Sequence, residues 1–217
     1  MIKAVLWDFG GVLTSSPFEA FARYEHEKGL PKNFLRSINA TNPDANAWAR
    51  FERNDIDLEA FDKAFEDETT AAGHPVPGRE IIALLAGNVR PEMVAALKRC
   101  AANFKTACIT NNVNAGEGAG MARSLEQAQE VEQILALFDE VIESSKAGVR
   151  KPDPKIYQMA CEVLQIDPTE AVYLDDLGIN LKPAKAMGMQ TIKVSDPAVA
   201  LEELEAVTGL SLKDRGA

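Results

Sequence analysis

The stretch Ile2-Lys3-Ala4-Val5-Leu6-Trp7-Asp8-Phe9-Gly10-Gly11-Val12 decides the reading of this chain. An apolar run ends on a carboxylate, and two glycines allow the backbone to turn tightly beside it. The same punctuation returns twice. Ala107-Cys108-Ile109 stops at Thr110-Asn111, and Ala171-Val172-Tyr173-Leu174 stops at Asp175-Asp176. Three apolar strands that end on polar groups are what an open α/β sheet needs to build a site, because ligands bind beyond the carboxyl ends of its strands.

Residues 2–7 read as the first strand. From Pro17 to about Leu85 the apolar spacing is helical: Phe18, Phe21, Ala22 and Glu25 begin one amphipathic stretch, and Phe51, Leu58, Phe61 and Phe65 mark others. Asn42-Pro43-Asp44 and Gly73-His74-Pro75-Val76-Pro77-Gly78 interrupt it. Pro91 opens a helix with Met93, Val94 and Leu97, and strand 104–109 follows. Next come Gly116-Glu117-Gly118-Ala119-Gly120, a helix to about Leu137 and a short strand over 138–142. Helix 154–165 behind Asp153, strand 171–174, helix 179–187, strand 190–194 and a helix of about 197–208 complete the alternation. Alternating strand and helix specifies a parallel sheet. The expected fold is a doubly wound α/β core, residues 1–14 and 90–217, with an inserted α-helical cap over 15–89. An insert at the carboxyl end of a strand lies over the site, where it can exclude water and choose a substrate.

A chain of 217 residues suits one large domain or a core with a smaller insert. The formal net charge of −10 argues against a nucleic-acid or anionic-membrane surface, since both need clustered Lys and Arg. A small anionic substrate stays compatible if its pocket is locally positive. No apolar run approaches the ~18 residues of a membrane span. The N-terminal apolar run is too short, and wrongly flanked, for a secretory signal. Cys100, Cys108 and Cys161 are odd in number and lack paired spacing, so buried free thiols in a reducing cytoplasm are expected.

Asp8, Thr110, Lys151 and Asp176 are distant in sequence yet can converge at one sheet edge. A carboxylate that attacks a phosphoryl group makes an aspartyl-phosphate. The transferred group carries negative charge on three oxygens and needs a cation, a lysine, and hydroxyl or backbone N–H donors. Asp8 then serves as nucleophile and metal ligand through its two oxygens. Asp176 holds the metal from another strand, with Asp175 and Asn180 in support. Thr110 and the N–H of Asn111 hold phosphoryl oxygens, and Lys151 offsets the charge. Oxygen ligands beside a substrate phosphate suit Mg²⁺.

The set Asp8-Phe-Gly-Gly-Val12, Thr110-Asn-Asn112, Arg150-Lys-Pro-Asp-Pro154 with Tyr157, and Leu174-Asp-Asp-Leu-Gly-Ile-Asn180 resembles the four motifs of the haloacid dehalogenase-like hydrolase superfamily, in order and spacing, over nearly the whole chain. Within it the closest resemblance is to the N-terminal phosphatase domain of soluble epoxide hydrolase, carried by Tyr173-Leu-Asp-Asp-Leu-Gly-Ile-Asn-Leu-Lys-Pro-Ala-Lys185 and Ala206-Val-Thr-Gly-Leu210. The resemblance implies a Rossmann-like core and a helical cap. It maps the nucleophile onto Asp8, the hydroxyl motif onto Thr110, the lysine onto Lys151 and the metal acids onto Asp175 and Asp176. The family's main-chain metal ligand falls on Gly10, and any residue type can supply that oxygen. The implied activity is hydrolysis of a small phosphorylated metabolite with Mg²⁺.

One position departs from the pattern. Phosphatases of the family carry a second Asp where this chain has Gly10; it protonates the leaving alcohol and then activates water. Losing a positioned acid/base typically costs about 10²–10⁴-fold. Good leaving groups, such as acyl or aryl phosphates, suffer least. Gly10 keeps alive a catalytically silent relative that binds a phosphorylated ligand or a protein. Dehalogenation, which also starts from an Asp nucleophile, needs no metal and so disagrees with Asp175-Asp176.

Several other features have plain structural readings. Asp8-Phe9-Gly10 spells a kinase metal motif but lacks an upstream glycine loop. Gly116, Gly118 and Gly120 read as a loop, not a phosphate cradle. His26 and His74 read as surface residues. Trp48, Phe51 and Phe61 read as lid core, and Arg50, Arg53 and Glu66-Asp67-Glu68 as solvated helix faces. Lys146 rivals Lys151, but the Lys-Pro-Asp-Pro context favours Lys151.

Overall fold

The computed structural model describes residues 1–113 and 125–212. β1 (Ala4–Trp7) lies at the centre of a five-stranded sheet, between β2 (Lys105–Thr110) and β4 (Ala171–Asp175). β3 (Glu140–Glu143) and β5 (Gln190–Lys193) form the edges, giving the order β3-β2-β1-β4-β5 with every pair parallel. Six helices separate β1 from β2: α1 (Pro17–Lys28), α2 (Phe34–Ala40), α3 (Ala47–Glu52), α4 (Leu58–Ala71), α5 (Gly78–Ile82) and α6 (Pro91–Ala101). α7 (Leu125–Leu135) precedes β3, and α8 (Ser144–Ala147) and α9 (Pro154–Leu164) lie between β3 and β4. α10 (Gly178–Ala186) connects β4 to β5, and α11 (Pro197–Thr208) follows.

Both faces of the sheet are covered, as parallel strands require. Side chains alternate across a strand with period two. Val5, Trp7, Cys108, Val172 and Leu174 therefore face one way, onto Met93 and Leu97 of α6, Ile134 of α7 and Leu204 of α11. Ala4, Leu6, Ala107, Ile109, Ala171 and Tyr173 face the other way, onto Ile156, Tyr157 and Leu164 of α9 and Leu181 of α10. This alternation positions the site. Trp7 is level with Leu174 in the register, so Asp8 and Asp175 come level one residue later. Both continue the face that packs on α9, and Lys151 precedes α9.

The helices start where the sequence supplies caps. Asp153 accepts from the N–H of Lys155 with Pro154 in the first turn of α9, and Asp196 accepts from the N–H groups of Ala198 and Val199 ahead of α11. Asn46 and Asp57 do the same for α3 and α4. α2 has no cap of its own, and the buried carboxylate of Glu25 takes its place, accepting from the N–H groups of Asn33 at 2.8 Å and Leu35 at 2.9 Å.

α1 to α5 bury a separate apolar cluster built on Phe21, Phe34, Leu35, Phe51, Phe61 and Phe65. Phe51 stacks on Phe61 with centroids 4.5 Å apart, and Trp48 stands edge-on to Phe61 at 5.4 Å. These rings are packing, as their spacing predicts. The chain enters and leaves this helical segment side by side. Thr14 bridges Val89 in antiparallel sense, the N–H of Ser15 donates to Asn88, and the N–H of Arg90 donates to Leu13.

Some sequence readings need adjustment. β3 begins at Glu140, two residues later than its apolar pattern suggests. Phe138 is buried in the core instead, and Asp139 meets Thr106 through its carboxylate at 2.7 Å, so regular pairing starts at Ala107 with Glu140. His74 is half-buried, edge-on to Phe34, whereas His26 is exposed. Glu68 is also half-buried, and accepts from the N–H of Ala47. Gly116, Gly118 and Gly120 lie outside the described residues. The three cysteines are buried and free, and burial pushes the thiols of Cys100 and Cys161 up to about 12 and about 11. No helix among the described residues is long and apolar enough to cross a membrane.

Phe61 is fully buried and touches three other aromatic rings. Phe61→Ala is expected to cost about 3–5 kcal/mol, by lost transfer energy plus the cavity left behind. Urea unfolding of the two proteins checks this.

Candidate active site

The carboxyl ends of β1 and β4 bring two carboxylates onto one buried ammonium. Lys151 Nζ lies 2.7 Å from Asp8 Oδ1 and 3.0 Å from Asp175 Oδ2, with 1% of its side chain exposed. Its main chain is clamped as well. The Asn111 side chain accepts from the Lys151 N–H at 2.8 Å and donates to the Lys151 carbonyl at 3.1 Å. The side chain of Asn111 thus holds Lys151 in place, a use separate from the N–H contact expected of this residue. Lys146, the rival lysine, is exposed and pairs with Glu143.

Asp175 is fully buried and richly bonded. Besides Lys151 it accepts from the Tyr173 hydroxyl, from Asn180 Nδ2 at 3.1 Å to each oxygen, and from the Leu177 N–H at 2.8 Å. The hydroxyl of Tyr157 donates to the Asn180 carbonyl at 2.8 Å, so α9 steadies the residue that steadies Asp175. Asn180, expected near the metal, acts here through Asp175.

Asp8 Oδ1 also accepts from the Phe9 N–H at 2.7 Å, while Oδ2 has no partner among the described residues. The Thr110 hydroxyl, at the end of β2, likewise has none. Asp176 is half-buried, and its Oδ2 accepts from Ser16 at 3.0 Å. Gly11 allows this approach. Its φ of +79° is left-handed, and a Cβ there would lie 2.3 Å from Asp176 Oδ2. Gly10 differs: a Cβ built on it meets nothing within 4 Å.

The electrostatics are crowded. Oxygens of Asp8, Asp175 and Asp176 lie within 4.8 Å of one another. Burial pushes the Asp8 carboxyl up, Lys151 pulls it back, and Asp175 with Asp176 pushes it up again, leaving it well above the usual carboxylate range. Burial and then Asp175 raise Asp176. Burial would lower the Lys151 ammonium, but Asp175 and Asp8 outweigh it and hold the lysine charged. Asp8 and Asp175 thus share one ammonium, with Asp176 clustered beside them. Oxygen-only donors at this separation fit a hard divalent cation such as Mg²⁺. The Gly10 carbonyl receives no backbone N–H among the described residues and is available to the same ion.

Sequence reasoning missed the contact from the helical segment. Glu52, at the end of α3, is buried against this edge. Its Oε2 lies 2.5 Å from Arg150 Nε and 3.4 Å from Asn111 Nδ2, and its Oε1 accepts from Trp48 Nε1 at 2.9 Å. Arg150 also donates to the Pro43 carbonyl at 2.9 Å. The available signal was an acid four residues after Trp48, on a face otherwise apolar. Arg53 turns away to Asp55 and the Asp44 carbonyl.

The sequence pattern of haloacid dehalogenase-like hydrolases matches residues 2–188, and the chain belongs to that family of hydrolases. It is 34% identical over 216 residues to mouse acyl-CoA dehydrogenase family member 10, covering 97% of this chain and 19% of that protein. It is 33% identical over 221 residues to mouse bifunctional epoxide hydrolase 2, covering 96% of this chain and 39% of that one. The chain therefore spans well under half the length of either relative. A solved HAD family enzyme from Bacteroides thetaiotaomicron, in complex with magnesium and inorganic phosphate, shares the fold with a TM-score of 0.56 at 20% identity, over 89% of this chain and 94% of that one.

Lys151→Ala is expected to destabilise the protein by about 3–5 kcal/mol in urea unfolding, because two buried carboxylates lose their partner. Glu52 gives a test by pH. Burial raises its carboxyl above the ordinary 4.5, against the pull of Arg150. A carboxyl raised in the fold favours folding most below its unfolded value, and that contribution is lost as pH rises through the folded value. Glu52→Gln has no such titration. The stability of wild type relative to Glu52→Gln is therefore expected to fall from acid to neutral pH, read from urea midpoints.

Proposed function

We propose that this hydrolase is a Mg²⁺-dependent phosphatase of small phosphorylated metabolites, acting through an aspartyl-phosphate on Asp8. The observation that carries the reading is the excess of carboxylates at the site: Asp8 and Asp175 pair with one lysine and Asp176 clusters with them, a surplus of negative charge that a divalent cation would use. Asp8, Asp176 and the Gly10 carbonyl would hold the ion, with Asp175 ligating or buttressing them. The bound ion would draw charge from the phosphoryl oxygens. Asp8 Oδ2 is the free nucleophilic oxygen, and Thr110, the Asn111 N–H and Lys151 receive the phosphoryl group. The magnesium and phosphate in the Bacteroides enzyme of the same fold support this reading.

In this reading residues 1–14 and 90–217 are the core and residues 15–89 a helical cap. The separate apolar cluster of the helices and the paired crossing at Thr14 and Val89 support the division. Glu52 and Pro43 reaching Arg150 would close the cap beside the phosphate site. The three buried free thiols support a reducing, cytoplasmic setting.

Gly10 favours a second reading, a silent relative that binds a phosphorylated ligand or a protein partner. Metal-free dehalogenation fits less well, since it makes no use of three clustered acids.

Phosphate release from a phosphoester panel is expected to require Mg²⁺ and to vanish in Asp8→Asn. Gly10→Asp, for which there is room, is expected to raise turnover of alkyl phosphates by at most about 10²-fold, and of aryl phosphates less, because their leaving groups need little protonation. A folded Gly10→Asp protein no better on any phosphoester would move the binding reading ahead. Metal-independent halide release from 2-chloropropionate would favour the dehalogenase.

A further inference from the structure

Phosphoryl transfer through Asp8 has two halves, and each has its own proton requirement. In the first, an alkoxide leaving group must receive a proton. In the second, the attacking water must lose one. A single carboxyl beside the nucleophile usually serves both halves. The described residues offer no replacement for it. Among the described residues nothing lies within 4 Å of where a Cβ at Gly10 would stand. Asp175 is occupied by Lys151, Tyr173, Asn180 and the Leu177 N–H. Asp176 accepts from Ser16 and belongs to the set that would hold the cation. Glu52 is held by Arg150, Trp48 and Asn111. His26 is exposed in the last turn of α1, and His74 stands against Phe34 within the helical cluster. Lys151 Nζ is committed to both Asp8 and Asp175.

The groups that accept a phosphoryl group are intact. Asp8 Oδ2 and the Thr110 hydroxyl are both unpartnered among the described residues, and Lys151 is 2.7 Å from the other Asp8 oxygen. Among the described residues the site is thus complete for taking on a phosphoryl group and incomplete for handing it to water.

We propose, building on the phosphatase reading, that Asp8 takes a phosphoryl group from acyl phosphates and retains it as a long-lived aspartyl-phosphate. An Asp8 oxygen bonds to phosphorus as the bond from phosphorus to the acyl oxygen breaks. The electron pair leaves with the released carboxylate, which needs no proton. In the slow second half, water oxygen bonds to phosphorus, the bond to Asp8 breaks with its pair returning to Asp8, and a water proton passes to solvent unaided. Acyl phosphates are the matching donor class because their leaving group demands nothing of position 10. Alkyl phosphates demand an acid the described site lacks.

Acetyl phosphate with Mg²⁺ and intact-mass spectrometry test this. The wild-type chain is expected to gain one phosphoryl mass, reversed by hydroxylamine, and peptide mapping is expected to place it on Asp8. Asp8→Asn should stay unmodified. In Gly10→Asp the adduct should decay on the order of 10²-fold faster, with faster phosphate release. Mapping on the wild type keeps the assignment testable if Asp8→Asn fails to fold. No adduct on the wild type, while Gly10→Asp hydrolyses phosphoesters, would overturn retention and leave the phosphatase reading standing. Equal adduct lifetimes in wild type and Gly10→Asp would overturn the role given to position 10. Folded proteins that neither gain the adduct nor release phosphate from any probe would overturn both readings.

Discussion

The ammonium of Lys151, buried between Asp8 and Asp175, is the contact on which the rest of this structure depends. It joins the ends of the two central strands from a loop that belongs to neither. It works only because β1 and β4 are neighbours in the right register, with Trp7 level with Leu174. A one-residue slip would turn Asp8 to the opposite face. Burying each ion costs several kcal/mol, which close pairing must offset. Buried hydrogen bonds extend the arrangement outward. Asn111 clamps the lysine main chain from β2, Asn180 holds Asp175 from α10, and Tyr157 holds Asn180 from α9. Five elements, β1, β2, β4, α9 and α10, are thereby tied to one charge.

The same charge does not balance the site. Two like charges about 4 Å apart repel by roughly 4 kcal/mol at the effective dielectric of a protein surface. One lysine therefore cannot satisfy three neighbouring carboxylates, and this excess adds to burial, the larger cause, in raising Asp8 and Asp176. A protein whose only need was stability would lose one of these acids. In the proposed reading these raised carboxyls are where stability is given up for binding a cation. Asp175 stands apart, because its four donors make it the rigid member of the set.

Much of this was legible in the sequence because it rests on short-range patterns. An apolar run closing on a polar residue marks β1, β2 and β4, and the alternation of strand and helix marks the parallel sheet. Asp8, Thr110, Asp175 and Asp176 could be named because each sits at or just beyond such a boundary, and Lys151 because of its Lys-Pro-Asp-Pro context. What stayed hidden depends on partners far along the chain. Glu52 and Arg150 meet across 98 positions, and nothing in either neighbourhood announces the other. Glu25 looks like one more acid in an amphipathic helix, yet it caps the next helix. β3 was placed early because Phe138 continues its apolar run, whereas the fold spends that ring on the core. The side-chain clamp of Asn111 on Lys151 stayed hidden too, since a bond to another residue's main chain leaves no trace in composition.

The adjacent glycines 10 and 11 separate two constraints that the sequence presents as one. Gly11 is demanded by the fold: its backbone is left-handed, and Asp176 occupies the space of any side chain. Gly10 is demanded by neither conformation nor space. Its φ lies outside the left-handed region, and a side chain would extend into an open volume beside Asp8. The main-chain oxygen that would serve a metal is the same for any residue there. In the proposed phosphatase reading, a glycine at such a position would leave the nucleophile, the lysine clamp and the cation donors in place and would subtract only proton transfer. In that reading the change at position 10 is chemical and confined to one step, while the backbone constraint beside it rests on Gly11 alone.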